Sequence, residues 1–101
     1  MPEAKWFVYL LECRDARIYT GVTPDLEKRL IAHRVGKGAK FTKANPPVAV
    51  LAFKSCADRR EAMRLEIEIK RLRREQKIAL AKAWAAEQPI ATLAAKVFPR
   101  D

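Results

Sequence analysis

The sequence predicts a single α/β domain, because short apolar segments of strand character alternate with helical patterns along its 101 residues. Two segments rich in aromatic and β-branched residues, Trp6 to Cys13 and Ile18 to Val22, are separated by a turn at Arg14 to Arg17, as in a β-hairpin. A third strand is predicted at Val48 to Phe53, and a long amphipathic helix begins near Asp58. A chain of this length forms one core, so we treat residues 1–101 as one domain.

The predicted hairpin places two tyrosines on adjacent strands. If it pairs symmetrically about Asp15 and Ala16, Tyr9 and Tyr19 lie near each other, although a slip of one residue would undo this. Strand side chains alternate between faces, so Tyr19 and Gly21 share a face. The turn type stays open, because the Asp-Gly pair of the commonest hairpins is absent.

A helix is predicted to start at Thr23-Pro24-Asp25, with the Thr23 hydroxyl as the cap and proline at the first helical position. Gly36 is the predicted C-cap. At about 100° per residue, one narrow stripe of this helix contains four residues: Leu26, Arg29, Leu30 and His33. Arg29 and His33 therefore project beside the residues that dock the helix, where an arginine that only solvates the surface is not expected.

The long helix from Asp58, which we expect to break near Arg73, contains a carboxylate on its apolar face. Its apolar stripe consists of Ala62, Leu65, Ile69 and Leu72. Glu66 lies inside this stripe, and a carboxylate at a docking face is expected to be paired, protonated or metal-bound. Structural pairing with a neighbouring Lys or Arg is the simplest alternative to a functional role. Pro89 ends the helical pattern, and Ile90 to Phe98 is predicted to pack back onto the domain.

The composition is strongly basic, with 21 Lys and Arg against 12 acidic residues, a formal charge of +9 and a pI near 10.0. Such a charge favours polyanionic partners, nucleic acid before anionic membrane, with a merely solubilising surface as the alternative. The segment Gly36 to Pro47 has lysines, glycines and one aromatic but no acid, which suits a flexible arm that follows phosphates and stacks on a base, or else a solvated basic loop. The candidate nucleic-acid contacts are Arg17, Gly21, Lys37, Lys40, Phe41, Lys43 and Lys70.

Several other classes of protein are excluded or disfavoured. Cys13 and Cys56 have no CxxC spacing and no signal peptide precedes them, so we expect reduced thiols in a cytoplasmic protein. No apolar run reaches membrane-spanning length, so no membrane partner is expected. One histidine and two separated cysteines make a structural zinc site unlikely, and the three glycines fit no nucleotide-binding loop.

The polar candidates suit phosphodiester hydrolysis, and we expect all five of them to line one phosphate-cleaving cleft. Glu66 alone suits Mg²⁺, which keeps several waters and needs few protein ligands. Arg29 can hold a phosphate through two hydrogen bonds as charge develops. Tyr9 can act as a base only if a cation lowers its pKa, while Tyr19 and His33 can orient water or contact the phosphate.

These residues resemble the GIY-YIG nuclease superfamily, and most closely its small single-domain bacterial members, over about residues 5–82. The matching positions, in the family's order and spacing, are Val8-Tyr9-Leu10, Tyr19-Thr20-Gly21, Arg29, His33 and Glu66. The resemblance implies a three-stranded antiparallel sheet flanked by helices, with residues 83–101 as a C-terminal helical extension. It also implies DNA cleavage that depends on Mg²⁺ or Mn²⁺, with Tyr9 as the base, Arg29 stabilising the transition state, Glu66 as the metal ligand, and Tyr19 and His33 in support.

Two departures from the family pattern concern specificity and turnover. First, Val22 follows Gly21 where repair members of the superfamily have a lysine. Second, homing and restriction members commonly have an asparagine late in the domain, whereas the only asparagine of this sequence, Asn45, precedes the third strand. The resulting expectation is a metal-dependent DNA endonuclease with low sequence specificity, acting in DNA repair or processing. The alternative is a non-catalytic nucleic-acid-binding module that keeps the nuclease fold.

Overall fold

The computed structural model describes residues 5–98, in which three strands and five helices follow one another along the chain. Their bounds are β1 (Trp6–Cys13), β2 (Arg17–Thr23), α1 (Leu26–Arg34), α2 (Lys40–Ala44), β3 (Pro47–Cys56), α3 (Arg59–Lys70), α4 (Arg74–Glu87) and α5 (Ala91–Val97). The strands form one antiparallel sheet in the order β2-β1-β3. The predicted α/β class and three-stranded sheet are therefore confirmed.

The hairpin register differs by one residue from the symmetric pairing we expected. Tyr9 pairs with Gly21 and Leu11 with Tyr19, so the pairing is centred on Asp15 rather than between Asp15 and Ala16. Asp15 and Ala16 both adopt left-handed backbone conformations, with φ of 61° and 59°. The loop therefore has three residues, Arg14, Asp15 and Ala16, with two successive left-handed positions, and it is not the two-residue turn of the commonest hairpins.

The two faces of the sheet are covered by different helices. One face, here called the tyrosine face, carries Tyr9, Tyr19 and Gly21 and is covered by α1 and α5, which contribute the buried side chains Leu30 and Val97. The other face, here called the opposite face, packs against α3 and α4. Its core contains Val8, Leu10, Ala52, Cys56, Ala62, Ile69, Ala81 and Trp84.

Helix α1 begins later than the sequence prediction. Asp25, and not Thr23, is the cap, because the Asp25 side chain accepts a hydrogen bond from the Lys28 amide at 3.2 Å. The Thr23 hydroxyl instead accepts from the Asp25 amide at 3.0 Å and closes the turn before the helix. The C-terminal prediction is confirmed, since Gly36 has φ of 82° just after the helix end.

The basic segment after α1 is not the wholly flexible arm that its composition suggested. Residues Lys40–Ala44 form α2, and the side chain of Thr42 is buried against the tyrosine face. A buried, hydrogen-bonded side chain fixes this helix, so the lysines on it have defined positions.

The second half of the chain follows the expected order. The long helix breaks near Arg73, because α3 ends at Lys70 and α4 starts at Arg74. Helix α4 continues across residues 82 and 83, where we placed the start of a C-terminal extension, and buries Trp84. The segment after Pro89 does pack back as α5. None of the helices within residues 5–98 is long and apolar enough to cross a bilayer.

Candidate active site

A short hydrogen bond joins the first strand to the first helix on the tyrosine face. The Tyr9 hydroxyl oxygen lies 2.6 Å from Nε2 of His33, and neither residue has exposed surface. The ring of Tyr9 comes from the central strand β1, and His33 comes from the last turn of α1. Tyr9 and His33, which are 24 positions apart in the sequence, are therefore in direct contact.

A third residue, Thr42 of α2, fixes the protonation of His33. Nδ1 of His33 lies 2.8 Å from the Thr42 hydroxyl, which donates its hydrogen to the Ala39 carbonyl at 3.0 Å. Because a hydroxyl has only one hydrogen, Thr42 must accept from Nδ1–H. In neutral His33 the Nε2 atom then carries the lone pair, and it accepts the hydrogen bond that the Tyr9 O–H donates.

Burial keeps His33 neutral. Desolvation, and secondarily the nearby charge of Arg29, lowers the pKa of His33 to about 4. The imidazole is therefore unprotonated near pH 7, and its lone pair at Nε2 is available. This is the state that the hydrogen-bond directions require.

The pKa of Tyr9 shifts in the direction opposite to the one a base needs. Burial raises the pKa of Tyr9 above its usual value and Tyr19 adds to the rise, whereas Arg29 lowers it by less. Our sequence prediction makes Tyr9 a base only if a cation, Arg29 or the metal, lowers this pKa. Arg29 does act in that sense, but the loss of water around the ring outweighs it, so Tyr9 is a protonated phenol in this structure.

Two glycines leave room for the buried pair. A Cβ atom at Gly21 would overlap the Tyr9 hydroxyl, and one at Gly38 would overlap Nδ1 of His33. Gly21, which we predicted to contact nucleic acid, is itself buried. Its structural effect is to let the hydroxyl end of the Tyr9 ring lie close to β2.

Tyr19 completes an aromatic group at the exposed edge of the same face. Its ring centroid is 5.1 Å from that of His33 and 6.2 Å from that of Tyr9. Phe41 of α2 stacks on its outer side at 5.8 Å. The predicted proximity of the two tyrosines is confirmed, but Tyr19 is the half-buried one and Tyr9 the fully buried one.

Arg29 supplies the positive charge of the site. It is half-buried, makes no salt bridge with a carboxylate of residues 5–98, and influences the pKa of both Tyr9 and His33. It also lines a groove of about 320 Å³ together with Thr23, Lys28 and the N-cap residue Asp25. A guanidinium free of a carboxylate partner beside a groove is suited to bind a phosphate.

Glu66 approaches from the other side of the sheet. Helix α3 covers the opposite face, and the Glu66 side chain is only 14% exposed, with its carboxylate 3.5 Å from Lys70 Nζ. Its charge nevertheless reaches the tyrosine face, because it raises the pKa of Tyr9. Lys70 lines the same groove as Tyr19. The carboxylate is therefore close enough to Tyr9 for its charge to act on the phenol.

The donor set around Glu66 fits only a cation with few protein ligands. Within residues 5–98 no group of three His, Cys, Asp or Glu side chains could hold a metal ion. A single, largely buried carboxylate suits Mg²⁺ or Mn²⁺, which complete their shells with water and substrate phosphate. The paired and the metal-binding readings of Glu66 are compatible, because the partner, Lys70, is exposed and free to move.

The five catalytic candidates do not line one open cleft as we expected. Arg29 lines one groove and Tyr19 lines another. Strand β2 contributes Thr23 to the first groove and Thr20 to the second, and Gly21 lies between these two threonines in the sequence. Tyr9 and His33 are buried below the surface. The cause is close packing of the aromatic group over Gly21, which leaves no space there.

The remaining basic candidates surround this region at the surface. Arg17 lies at the hairpin end of β2, Lys37 follows α1, and Lys40 and Lys43 lie on α2; all four are exposed. Phe41 is 37% exposed despite its stacking contact. Sequence reasoning missed Thr42 and Gly38, since neither residue has a pattern that predicts a contact with His33.

A three-stranded antiparallel sheet flanked by helices, with a buried tyrosine–histidine pair beside an arginine, is the architecture of a nuclease-type domain. The family model described as the GIY-YIG catalytic domain matches residues 5–79, and this chain belongs to that family.

Similar proteins carry the name UPF0213. One from Xanthomonas axonopodis pv. citri is 48% identical over 84 residues, covering 83% of this chain and 78% of the relative. One from Cupriavidus necator is 42% identical over 87 residues, covering 86% and 95%. The solution NMR structure of a UPF0213 protein from Bacillus halodurans has 40% identity and a TM-score of 0.51, covering 78% of this chain and 84% of that one.

Proposed function

We propose that this protein is a metal-dependent DNA endonuclease that hydrolyses phosphodiester bonds, acts in DNA repair or processing, and has low sequence specificity. The observation that carries the proposal is the buried hydrogen-bond chain from Tyr9 through His33 to Thr42. A core built only for stability does not need such a chain, because apolar side chains of similar volume fill space without ordering polar groups. Family membership supports the same reaction class.

The hydrogen-bond chain from Tyr9 to Thr42 lets Tyr9 accept a proton from water without first becoming a phenolate. As Tyr9 takes a proton from the attacking water, its own proton passes to Nε2 of His33, 2.6 Å away. No free phenolate forms, so the raised pKa of Tyr9 does not oppose this step, whereas the lowered pKa of His33 does. The negative charge of the phosphate held by Arg29 stabilises the imidazolium that forms. Thr42 holds His33 in the tautomer that can accept.

Arg29 binds the phosphate and controls access to Tyr9. The guanidinium is close enough to lower the Tyr9 pKa, so a phosphate held by Arg29 lies beside the Tyr9 hydroxyl. The Tyr9 hydroxyl has no exposed surface, so we expect the guanidinium to move towards the phosphate and give the attacking water access to it. The same guanidinium stabilises the negative charge that grows on the phosphoryl oxygens.

Glu66 is the residue that would hold Mg²⁺ or Mn²⁺. The bound cation supplies neutralisation of phosphoryl charge and help for the leaving oxygen. Lys70, the present ion partner of Glu66, is exposed and is free to turn to the DNA backbone instead.

Phosphates provide most of the DNA contact. Arg17, Lys37, Lys40 and Lys43 are exposed around the site, and lysine contacts to phosphate have no base preference. This explains the low sequence specificity that we propose. We place the protein in the cytoplasm, where the two buried thiols Cys13 and Cys56 stay reduced.

Cleavage of a DNA substrate in Mg²⁺ tests the proposal directly. We expect the wild-type chain to cut, and Tyr9→Phe and Glu66→Gln to lose about 10²-fold in rate or more. Glu68→Gln is the matched control, because Glu68 is exposed on the same helix, and it should cut like the wild type. Absence of cutting by the wild type in both Mg²⁺ and Mn²⁺, or cutting by Tyr9→Phe and Glu66→Gln at the wild-type rate, would overturn it.

A second candidate is a non-catalytic nucleic-acid-binding module. The full burial of Tyr9 and the rise in its pKa favour this candidate, because both hinder contact with a substrate water. Such a module would bind DNA with a steep salt dependence in the wild type and in both variants, and would cut it in none of them.

A further inference from the structure

A groove of about 280 Å³ crosses the outer edge of the sheet beside the buried pair. It is lined by Ile18, Tyr19, Thr20, Phe41, Lys70 and Lys77, which come from β2, α2, α3 and α4. β2 is an edge strand of the sheet. Because side chains alternate along a strand, Tyr19 faces one side of the sheet and Thr20 faces the other. The groove therefore connects the tyrosine face to the helices that cover the opposite face.

One wall of the groove is aromatic. Phe41 stacks on Tyr19 with an interplanar angle of 27°, and this contact holds the Phe41 ring in place while 37% of the residue stays exposed. A fixed, partly exposed aromatic ring is the usual surface on which proteins stack a nucleic-acid base.

The other wall is basic. Lys70 and Lys77 line it, and no acidic residue does. Lys70 shares its charge with Glu66, whereas Lys77 makes no salt bridge within the part of the chain that the structure describes. An aromatic ring and two lysines that line the same groove match the two parts of a nucleotide, its base and its phosphate.

Thr20 provides a third and independent feature. It is 3% exposed, lines the groove, and its hydroxyl has no hydrogen-bond partner among residues 5–98. Buried hydroxyls in folded proteins are nearly always bonded, so this one is open to a further partner. Its oxygen has almost no accessible surface, so a ligand in the groove reaches it only when the Thr20 side chain turns about its Cα–Cβ bond.

We propose that this groove is the binding subsite for one nucleotide next to the cleaved phosphodiester. The base stacks on Phe41, its phosphate lies against Lys77 and Lys70, and the Thr20 hydroxyl bonds a polar atom of the nucleotide. A base stacks in this way only when it is unpaired or turned out of the duplex. The placement next to the cut rests on the proposed nuclease function; the binding itself does not.

Equilibrium binding in EDTA, measured by fluorescence anisotropy, tests the subsite apart from cleavage. The probes are a labelled oligothymidine and a fully abasic strand of equal length, which presents the same phosphates without bases. Phe41→Ala should weaken binding of oligothymidine about tenfold and leave binding of the abasic strand unchanged. Lys77→Gln should weaken binding of both strands and lower the salt slope by about 1, whereas Lys82→Gln, an exposed lysine on the same helix, should change neither affinity.

Thr20→Val separates a binding role from a structural one. Removing a buried hydroxyl without a partner should raise the melting temperature, while the affinity for oligothymidine should fall about fivefold. A role in folding alone would not lower affinity and raise stability together.

The outcomes for the two proposals are distinguishable. Three results would overturn the subsite even if the chain cuts DNA. The first is a wild-type affinity for oligothymidine in Phe41→Ala or in Thr20→Val. The second is an equal loss of affinity for both strands in Phe41→Ala, and the third is identical binding by Lys77→Gln and Lys82→Gln. Binding that depends on Phe41, Lys77 and Thr20 in a chain that never cuts would support the subsite and overturn the nuclease.

Discussion

The Tyr9 hydroxyl oxygen lies 2.6 Å from Nε2 of His33, although the two residues are 24 positions apart in the chain. The bond is buried on both sides, and the direction of its proton follows from a second bond on the far side of the imidazole, to Thr42. The candidate site is therefore organised around a polar chain inside the protein, with Arg29 at its open end.

Thr42 should act as a positioning residue for His33. Thr42→Val removes the acceptor of Nδ1–H and the donor to Ala39, so we expect a loss of about 1–3 kcal/mol in unfolding free energy and slower cleavage. Thr42→Ser keeps the hydroxyl and should retain cleavage and its pH profile. Denaturant unfolding and a pH–rate profile measure both effects; a Thr42→Val enzyme with the pH–rate profile of Thr42→Ser would contradict the role.

Stability should depend on pH through His33. Its pKa falls from 6.5 when unfolded to about 4 when folded, so on acidification the unfolded chain binds the proton first. The contribution is fully present above about pH 6.5 and is lost as the pH falls to about 4, a change on the order of 3 kcal/mol. Urea unfolding at pH 7 and pH 4.5 should show a smaller loss in His33→Gln than in the wild type. Equal losses in the two proteins would argue against a buried, neutral His33.

Gly21 should be required for packing, and not for backbone conformation. A Cβ at this position overlaps the Tyr9 hydroxyl, so Gly21→Ala should cost about 1–3 kcal/mol and also impair cleavage. Gly36→Ala is the control: it has open space but a φ of +82°, so it should cost about 1 kcal/mol of stability and leave cleavage intact. Melting temperatures and cleavage rates separate the two cases; wild-type cleavage by Gly21→Ala would contradict the packing argument.

Much of the fold was readable from local patterns. The bounds of β1, the break near Arg73 and the left-handed Gly36 follow from apolar runs, charge clusters and glycine placement, which are properties of neighbouring residues. The cap of α1 was assigned to the wrong residue, because Thr23 and Asp25 both have side chains able to cap, and tertiary context decides between them.

The site was less readable, because its key contacts join distant parts of the chain. The His33–Thr42 bond links a helix to a short helix inside a lysine- and glycine-rich segment, and no periodicity marks Thr42 as buried. The net rise in the Tyr9 pKa depends on complete burial of the ring, which strand alternation alone does not give.

Arg29 should contribute through its geometry as well as its charge. Arg29→Lys keeps the positive charge but loses the two-pronged contact to phosphate, so we expect about a 10²-fold lower cleavage rate with little change in the salt dependence of DNA binding. Arg34→Lys on the exposed side of α1 is the matched control and should be silent. If both substitutions have the same small effect on single-turnover cleavage, Arg29 is not the phosphate-binding residue.

The central claim is that His33 waits as a neutral proton acceptor for Tyr9, and ¹⁵N NMR of its imidazole tests this most directly. The chain has one histidine, so its two ring nitrogens can be assigned without ambiguity. At pH 7 we predict a protonated Nδ1 and an unprotonated Nε2, with titration only near pH 4. A protonated Nε2, or titration near the usual pKa of 6.5, would contradict the account.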